Sequence, residues 1–148
     1  MEYTKRRNLN RGYMKLDVWQ RRMDLFDYAF NLGSSIRDFK LKSQFTDAVQ
    51  SAPANVAEGY GRRSLPEYIQ FLYVAKGSLA EALTRGCGLR RTKQISEADF
   101  ETFDKIHYEV ENKLLALINS LEAKRENHDW RATLPRLNNP LIINPPIH

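Results

Sequence analysis

The chain has 148 residues, 42% of them apolar and 28% charged, with a formal net charge of +5. That length and balance point to one globular domain with a core of its own, and no apolar run approaches the ~20 residues that a membrane-crossing helix needs. The single cysteine, Cys87, excludes an intrachain disulfide and argues against a cysteine-based metal site. The basic start lacks the apolar segment of a secretory signal, so a cytoplasmic protein is expected.

The charge is unevenly spread. Residues 1–16 carry Lys5, Arg6, Arg7, Arg11 and Lys15 against Glu2 alone. Residues 67–93 hold five cations against two carboxylates, and residues 94–126 hold four cations against eight. Such asymmetry suits a polyanionic partner on one surface, although +5 by itself also serves solubility.

Four segments carry helical periodicity, and no alternating strand pattern, repeat or glycine-rich phosphate loop interrupts them. The first spans about 17–37. Trp19, Met23, Phe26 and Phe30 form one apolar stripe, and Val18, Leu25, Ala29, Leu32 and Ile36 form the next. "LGSS" at 32–35 frays its end. The second spans about 41–61, with Phe45, Ala48, Val49, Ala52, Val56 and Tyr60 on a face of mostly small residues that lets a neighbour come close.

The third follows "SLPE" at 64–67, where Ser64, Pro66 and Glu67 have the spacing of a capped helix start. Tyr68, Leu72, Ala75, Leu79, Ala82, Gly86 and Leu89 then recur at alternating steps of four and three, a seam for antiparallel bundle packing. The fourth opens at "ISEADF", capped by Ser96 with Asp99, and its core face is Phe100, Phe103, Ile106, Val110, Leu114, Leu117 and Leu121. Residues 127–148 hold four of the six prolines and cannot form a continuous helix. The expected organisation is therefore a basic arm over 1–15, an up-down-up-down antiparallel four-helix bundle over 16–126, and an extended proline-rich tail over 127–148.

The stretch "SAPANVAEGYGRRS" at 51–64 is the least ordinary part of the second segment. Pro53 has no N–H and crowds the carbonyl one turn back, which bends or breaks a helix at a cost of about 3 kcal/mol. Asn55, Glu58 and Arg62 fall on one polar stripe, with Glu58 and Arg62 in the favourable order for an ion pair. Gly59 and Gly61 let the helix end or another backbone approach. A catalytic reading would make Glu58 a general base, but no histidine, serine or second carboxylate stands at a compelling spacing from it. The structural alternative is a kinked helix with a polar network at a contact.

"KLDVWQRRMDLF", "APANVAEGYGR" and "EYIQFLYVAKGSLAEA" together resemble the four-helix-bundle family of 23S rRNA intervening-sequence proteins, which includes the accessory variability proteins of diversity-generating retroelements. The resemblance covers residues 12–122. It rests on Val18, Trp19, Pro53, Ala54, Asn55, Ala57, Glu58, Gly59, Gly61 and Arg62, and on Phe71, Leu72, Ala75, Gly77, Ser78 and Glu81. It implies a homopentameric barrel of bundles with a positive surface that binds nucleic acid. In the retroelement members it further implies a reverse transcriptase and its template RNA as partners, with DNA or an RNA–cDNA hybrid as other nucleic-acid forms. The lead-in "FTDAVQSAPAN" carries fewer cations than the family pattern, and the tail lies outside the resemblance.

In an up-down bundle the arm shares one end with the close of the second helix and the close of the fourth. Lys5, Arg6, Arg7, Arg11 and Lys15 can thus join Arg62, Arg63, Lys124 and Arg125 as a phosphate-contacting patch. At the other end Arg90, Arg91 and Lys93 face the acidic start of the fourth helix, which neutralises part of their charge. The alternative is that the paired arginines only complement helix C-termini. Trp19, Pro53, Asn55, Glu58, Gly59, Gly77, Ser78 and Glu81 are the expected structural or interface positions, and Trp130 could anchor the tail on a partner.

Tyr13, Tyr60, Tyr68 and Tyr73 could stack on bases, although aromatics at helical spacing usually pack in a core. His107 reads as a buried or interface residue and Cys87 as a small buried side chain. No metal site, cofactor or catalytic group is expected. Two rivals stand beside the RNA-binding reading: a protein–protein scaffold, and a small metal-dependent nuclease or hydrolase using Glu58 and Glu81.

Overall fold

The computed structural model describes residues 12–127. Among the described residues the chain is helical and has no strand. A 3-10 turn at Gly12–Lys15 leads into α1 (Asp17–Leu32), and a second at Gly33–Ser35 precedes α2 (Phe39–Tyr60); α3 (Leu65–Arg91) and α4 (Glu97–Glu126) follow. Residues 12–15, assigned from sequence to the basic arm, thus already pack: Gly12 is buried and the Tyr13 ring meets Trp19 and Tyr60 edge-on at 5.6 and 6.3 Å.

Each boundary has a local cause. α1 stops earlier than its periodicity suggests. The Ser34 and Ser35 hydroxyls donate to the Asn31 and Leu32 carbonyls at 2.9 and 2.8 Å and so satisfy groups the helix would otherwise leave open. α2 starts two residues earlier than expected, because the Asp38 carboxylate accepts from Leu41 N at 2.9 Å as an N-cap. Ser64 and Ser96 cap α3 and α4 through Glu67 N and Asp99 N, at 3.3 and 3.0 Å. Gln94 ties two turns together. Its Oε1 accepts from Arg37 N and Asp38 N at 2.8 and 3.3 Å.

Neighbouring helices meet through pairs that run in opposite senses. Between α1 and α4, Asp17 pairs with Lys113, Arg21 with Glu109 at 2.8 Å, and the Tyr28 hydroxyl donates to Asp99 O at 3.3 Å. Between α2 and α3, Gln44 accepts from Arg85, Ser51 meets Ser78, and Gly59 lies under Tyr68 and Phe71. Between α3 and α4, the Leu79 carbonyl faces His107, and Gly86 lies under Phe103 and Phe100. Every residue predicted for the core faces of α2 and α3 is buried, and Pro53, Gly59, Leu65, Ile69 and Ser78 are buried beside them.

Two faces differ from expectation. On α4, His107 and Ile118 are buried, while Ile106 and Leu117 are only half-buried. On α1, the core row is Val18, Arg22, Leu25, Ala29 and Leu32. The stripe of Trp19, Met23, Phe26 and Phe30 lies at the outer edge, and Phe30 is 64% exposed. The expected stripe of Val18, Leu25, Ala29, Leu32 and Ile36 is thus buried as read, and Arg22 joins it one turn from Val18.

Pro53 does not break α2, which runs unbroken from Phe39 to Tyr60 with Pro53 buried inside it. It costs one ladder hydrogen bond. The Arg22 Nη1 group donates to the adjoining Ala52 carbonyl at 3.0 Å, which ties α1 to the proline turn.

Candidate nucleic-acid interface

The turn between α2 and α3 carries Arg62 and Arg63, both exposed. α2 ends at Tyr60 because Gly61 and Arg62 fold back: Gly61 N donates to Ala57 O and Glu58 O, and Arg62 N to Gly59 O. This presents the two arginines on the outside of the bundle. Arg62 is held twice. Its Nη2 pairs with Glu58 Oε1 at 2.7 Å, and its guanidinium lies 4.5 Å above the Phe71 ring. Arg63 forms no ion pair among the described residues.

The register between α3 and α4 sets what lies level with this turn. Leu79 faces His107 and Gly86 faces Phe100. Carried along two antiparallel helices, the same register sets Leu121 across from Leu65, so the last turn of α4, with Lys124 and Arg125, lies at the end of the bundle that carries the Arg62–Arg63 turn. Arg125 reaches Glu122 only at 4.0 Å. Lys15 is exposed, two residues from the Tyr13 ring that packs on Tyr60. The structure therefore brings Lys15, Arg62, Arg63, Lys124 and Arg125 to one end. Lys5, Arg6, Arg7 and Arg11 lie outside the described residues, as does Trp130.

Residues 12–127 hold 17 Lys and Arg against 16 Asp and Glu, so the described bundle is close to neutral. Residues 1–11 add four cations against Glu2. The positive excess thus belongs chiefly to the arm, and the Arg62–Arg63 corner is where the arm departs from the bundle. At the opposite end Arg90 pairs with Glu97 at 2.9 Å and lies over Phe100, in line with the neutralisation read from sequence.

The helix-packing residues divide. Asn55 does not join Glu58. Its Nδ2 donates to the Ser51 carbonyl and hydroxyl at 2.8 and 3.0 Å, and the Ser78 hydroxyl donates to the same Ser51 oxygen at 3.0 Å. Ser51 is the residue that sequence reasoning missed; its spacing of one turn before Asn55 was the available signal. A Cβ on Gly59 would stand 2.6 Å from the Phe71 Cβ, so α2 and α3 touch there at backbone distance. Gly77 meets nothing within 4 Å and faces outward. Trp19 is half-buried against Tyr13, and Cys87 is half-buried rather than enclosed. His107 is enclosed at 1% exposure, with Nε2 2.6 Å from the Leu79 carbonyl and Nδ1 3.4 Å from Glu111.

Glu58 and Glu81 are both exposed, and each is near an arginine, Arg62 and Arg85 respectively. In the α2–α3 register Glu81 lies about ten residues along the bundle from Glu58, or roughly 15 Å at the helical rise. Two carboxylates at that separation do not share one metal ion. Among the described residues no three His, Cys, Asp or Glu side chains gather as a metal-holding group, and no helix is long and apolar enough to cross a membrane.

A sequence profile of the 23S rRNA-intervening sequence protein family matches residues 14–116, which contain α1 to α3 and most of α4. The chain belongs to that family. Its matched region takes in Lys15, Arg62, Arg63 and the Ser51–Asn55–Ser78 network, whereas Lys124, Arg125, residues 1–13 and the tail lie beyond it. No curated protein matches the chain in sequence.

Proposed function

We propose that this member of the 23S rRNA-intervening sequence protein family is a non-enzymatic, nucleic-acid-binding accessory protein of the cytoplasm. In this reading the bundle is up-down-up-down and assembles as a homopentameric barrel. It engages RNA, or DNA or an RNA–cDNA hybrid, and serves a reverse transcriptase. Lys5, Arg6, Arg7, Arg11 and Lys15 bind phosphates together with Arg62, Arg63, Lys124 and Arg125. The family's name, drawn from sequences intervening in 23S rRNA, supports a nucleic-acid context.

One observation carries the reading furthest: the end of the bundle from which a strongly basic arm departs also presents Arg63 without an ion pair among the described residues. Fivefold symmetry would repeat the patch as a ring and multiply its phosphate contacts. Gly77, open on α3, and the outer edge of α1 at Phe26 and Phe30 offer subunit faces.

Fluorescence anisotropy of a structured RNA across a salt series tests this directly. The expected result is binding whose log affinity falls steeply with log salt, and a shallower slope when residues 1–15 are deleted. Negligible, salt-insensitive binding would instead favour a protein scaffold, for which Phe39 and Tyr108, 81% and 63% exposed, are the contacts available.

A further inference from the structure

At the end of the bundle opposite the basic corner, two connections are tied side by side. Gln94 Oε1, in the turn after α3, accepts from Arg37 N and Asp38 N, just before α2, at 2.8 and 3.3 Å. These hydrogen bonds set the end of α3, with Arg91 and Lys93, beside the first turn of α2, with Phe39 and Lys40. The α2–α3 register agrees. Ser51 meets Ser78 and Gln44 meets Arg85, which carries Lys40 level with Leu89.

Phe39 is the most exposed large apolar side chain among the described residues, at 81%. Arg37, Lys40, Arg91 and Lys93 are exposed beside it, and none of them forms an ion pair among the described residues. The carboxylates of this end are engaged or lie elsewhere. Asp38 caps α2 at Leu41 N and Glu97 pairs with Arg90. Asp99, Glu101 and Asp104 belong to α4, which packs on α1 and α3 and so stands diagonally across the bundle from α2. Lys93 also occupies a position that favours glycine. Gln94 N donates to Leu89 O at 2.8 Å and Lys93 N to Arg90 O at 3.0 Å, the pair of bonds that closes a helix through a left-handed residue. Lys93 takes that conformation, at φ 59, and is the only non-glycine residue to do so among the described residues. The chain thus bears backbone strain there and gains a cation.

We propose that this end is a second nucleic-acid contact, specific for a single strand: a base stacks on Phe39 while the neighbouring phosphates meet Arg37, Lys40, Arg91 and Lys93. Every base has a π-face and every linkage a negative charge, so an exposed ring among unpaired cations holds a single strand without reading its sequence. A duplex keeps its bases stacked on one another and offers Phe39 nothing. Neither base stacking nor phosphate contact reads the sugar, so RNA and DNA single strands are held alike. The site rests on the nucleic-acid partner of the proposed function, but it contains none of the residues of the basic corner and stands or falls separately from it.

The test is fluorescence anisotropy of short labelled oligo-dT and oligo-U, and of a duplex of the same length, with the full chain across a salt series. Phe39→Ala should weaken both single strands by about 5- to 150-fold and leave the duplex unchanged, and Phe39→Trp should restore them. Lys40→Ala and Arg91→Ala should each flatten the single-strand salt slope by about 0.7. Lys93→Gly should flatten it likewise while raising Tm, a combination that a purely structural lysine would not give. All four side chains are exposed, so the variants should fold. Loss in these variants with Arg63→Ala and deletion of residues 1–15 without effect would establish this site and remove the basic corner. Single-strand binding that survives Phe39→Ala but is lost on deletion of residues 1–15 would overturn this site and leave the corner standing. No binding of any of the three probes would overturn both. Displacement of the single strands by poly-glutamate as readily as by unlabelled oligo-dT would make this a surface for acidic protein and overturn the stacking role of Phe39.

Discussion

The Ser78 hydroxyl of α3 lies 3.0 Å from the Ser51 hydroxyl of α2, and Asn55 donates to the same Ser51 oxygen. This is the polar hinge of the α2–α3 contact, and it has built-in relief. Ser78 has the Val74 carbonyl as a second acceptor at 3.2 Å, and Asn55 has the Ser51 carbonyl. Ser51→Ala and Ser78→Ala should therefore each cost only about 1 kcal/mol, within the range of a single satisfied hydrogen bond. Because both remove the same link, the double variant should cost little more than either single one. Urea unfolding midpoints decide this; strictly additive losses would mean that the two hydroxyls are not coupled.

Gly59 and Gly77 look alike in sequence and have opposite surroundings. A methyl at Gly59 meets the Phe71 Cβ, an atom that cannot move without its helix, so Gly59→Ala should destabilise the bundle by roughly 1–3 kcal/mol. A methyl at Gly77 meets nothing, so Gly77→Ala should raise the stability of the isolated bundle by about 0.5–1 kcal/mol through helix propensity. Gly88→Ala, equally open, serves as the control. If Gly77 faces a neighbouring subunit, its alanine variant should also lower the assembled mass in light scattering while Gly88→Ala leaves it unchanged. An assembly unaffected by Gly77→Ala would remove this glycine from the subunit contact.

What the sequence made legible follows from how local each feature is. The caps at Ser64 and Ser96, the seam of α3 and the Glu58–Arg62 pair depend on residues within about a turn of one another, and all three appear as read. On α1 the stripe of Val18, Leu25, Ala29, Leu32 and Ile36 is buried as read, but Arg22, a residue type that is seldom enclosed, was not placed in that row. Of the two outcomes expected at Pro53, a bend or a break, the break does not occur: α2 runs through it from Phe39 to Tyr60. Asn55 was grouped with Glu58 on a polar stripe, whereas its partner is Ser51 one turn earlier, which Ser78 of α3 also reaches. The near-neutrality of residues 12–127 is a count of 17 cations against 16 carboxylates, but which cations are paired, Arg62 with Glu58 and Arg90 with Glu97, appears only in the fold.

The enclosed tyrosines give the bundle a signed response to alkali. Burial raises the pKa of Tyr60 and of Tyr68 above the ordinary value of 10, to about 12 for Tyr60. A group whose folded pKa is raised contributes stability that is complete below its unfolded pKa and is lost as pH climbs through the folded one. From these two tyrosines stability should therefore fall between about pH 10 and 12. Arg22 acts in the opposite sense: its folded pKa is depressed from 12.5 to about 9, so its burden on the fold eases as pH rises above 9. Chemical unfolding at pH 8 to 12 should show a steeper alkaline loss in Arg22→Met than in the wild type, and a shallower loss in Tyr60→Phe. Parallel curves for all three proteins would contradict the assignment.

Glu58→Gln separates the functional readings most sharply. The Glu58–Arg62 pair is exposed, so losing it should cost the fold less than about 1 kcal/mol. The substitution also releases Arg62 from its carboxylate while leaving Phe71 beneath it. If the corner contacts phosphates, RNA affinity should hold or rise, and the salt slope should steepen by up to about one phosphate contact. Arg63→Ala should act in the reverse direction, weakening binding evenly across RNA sequences and flattening the slope. A nuclease or hydrolase built on Glu58 would instead lose metal-dependent turnover in Glu58→Gln with the fold intact. Anisotropy and a turnover assay on the same preparation give both answers at once: unchanged binding in both variants would move the phosphate contacts off this corner and onto the arm alone.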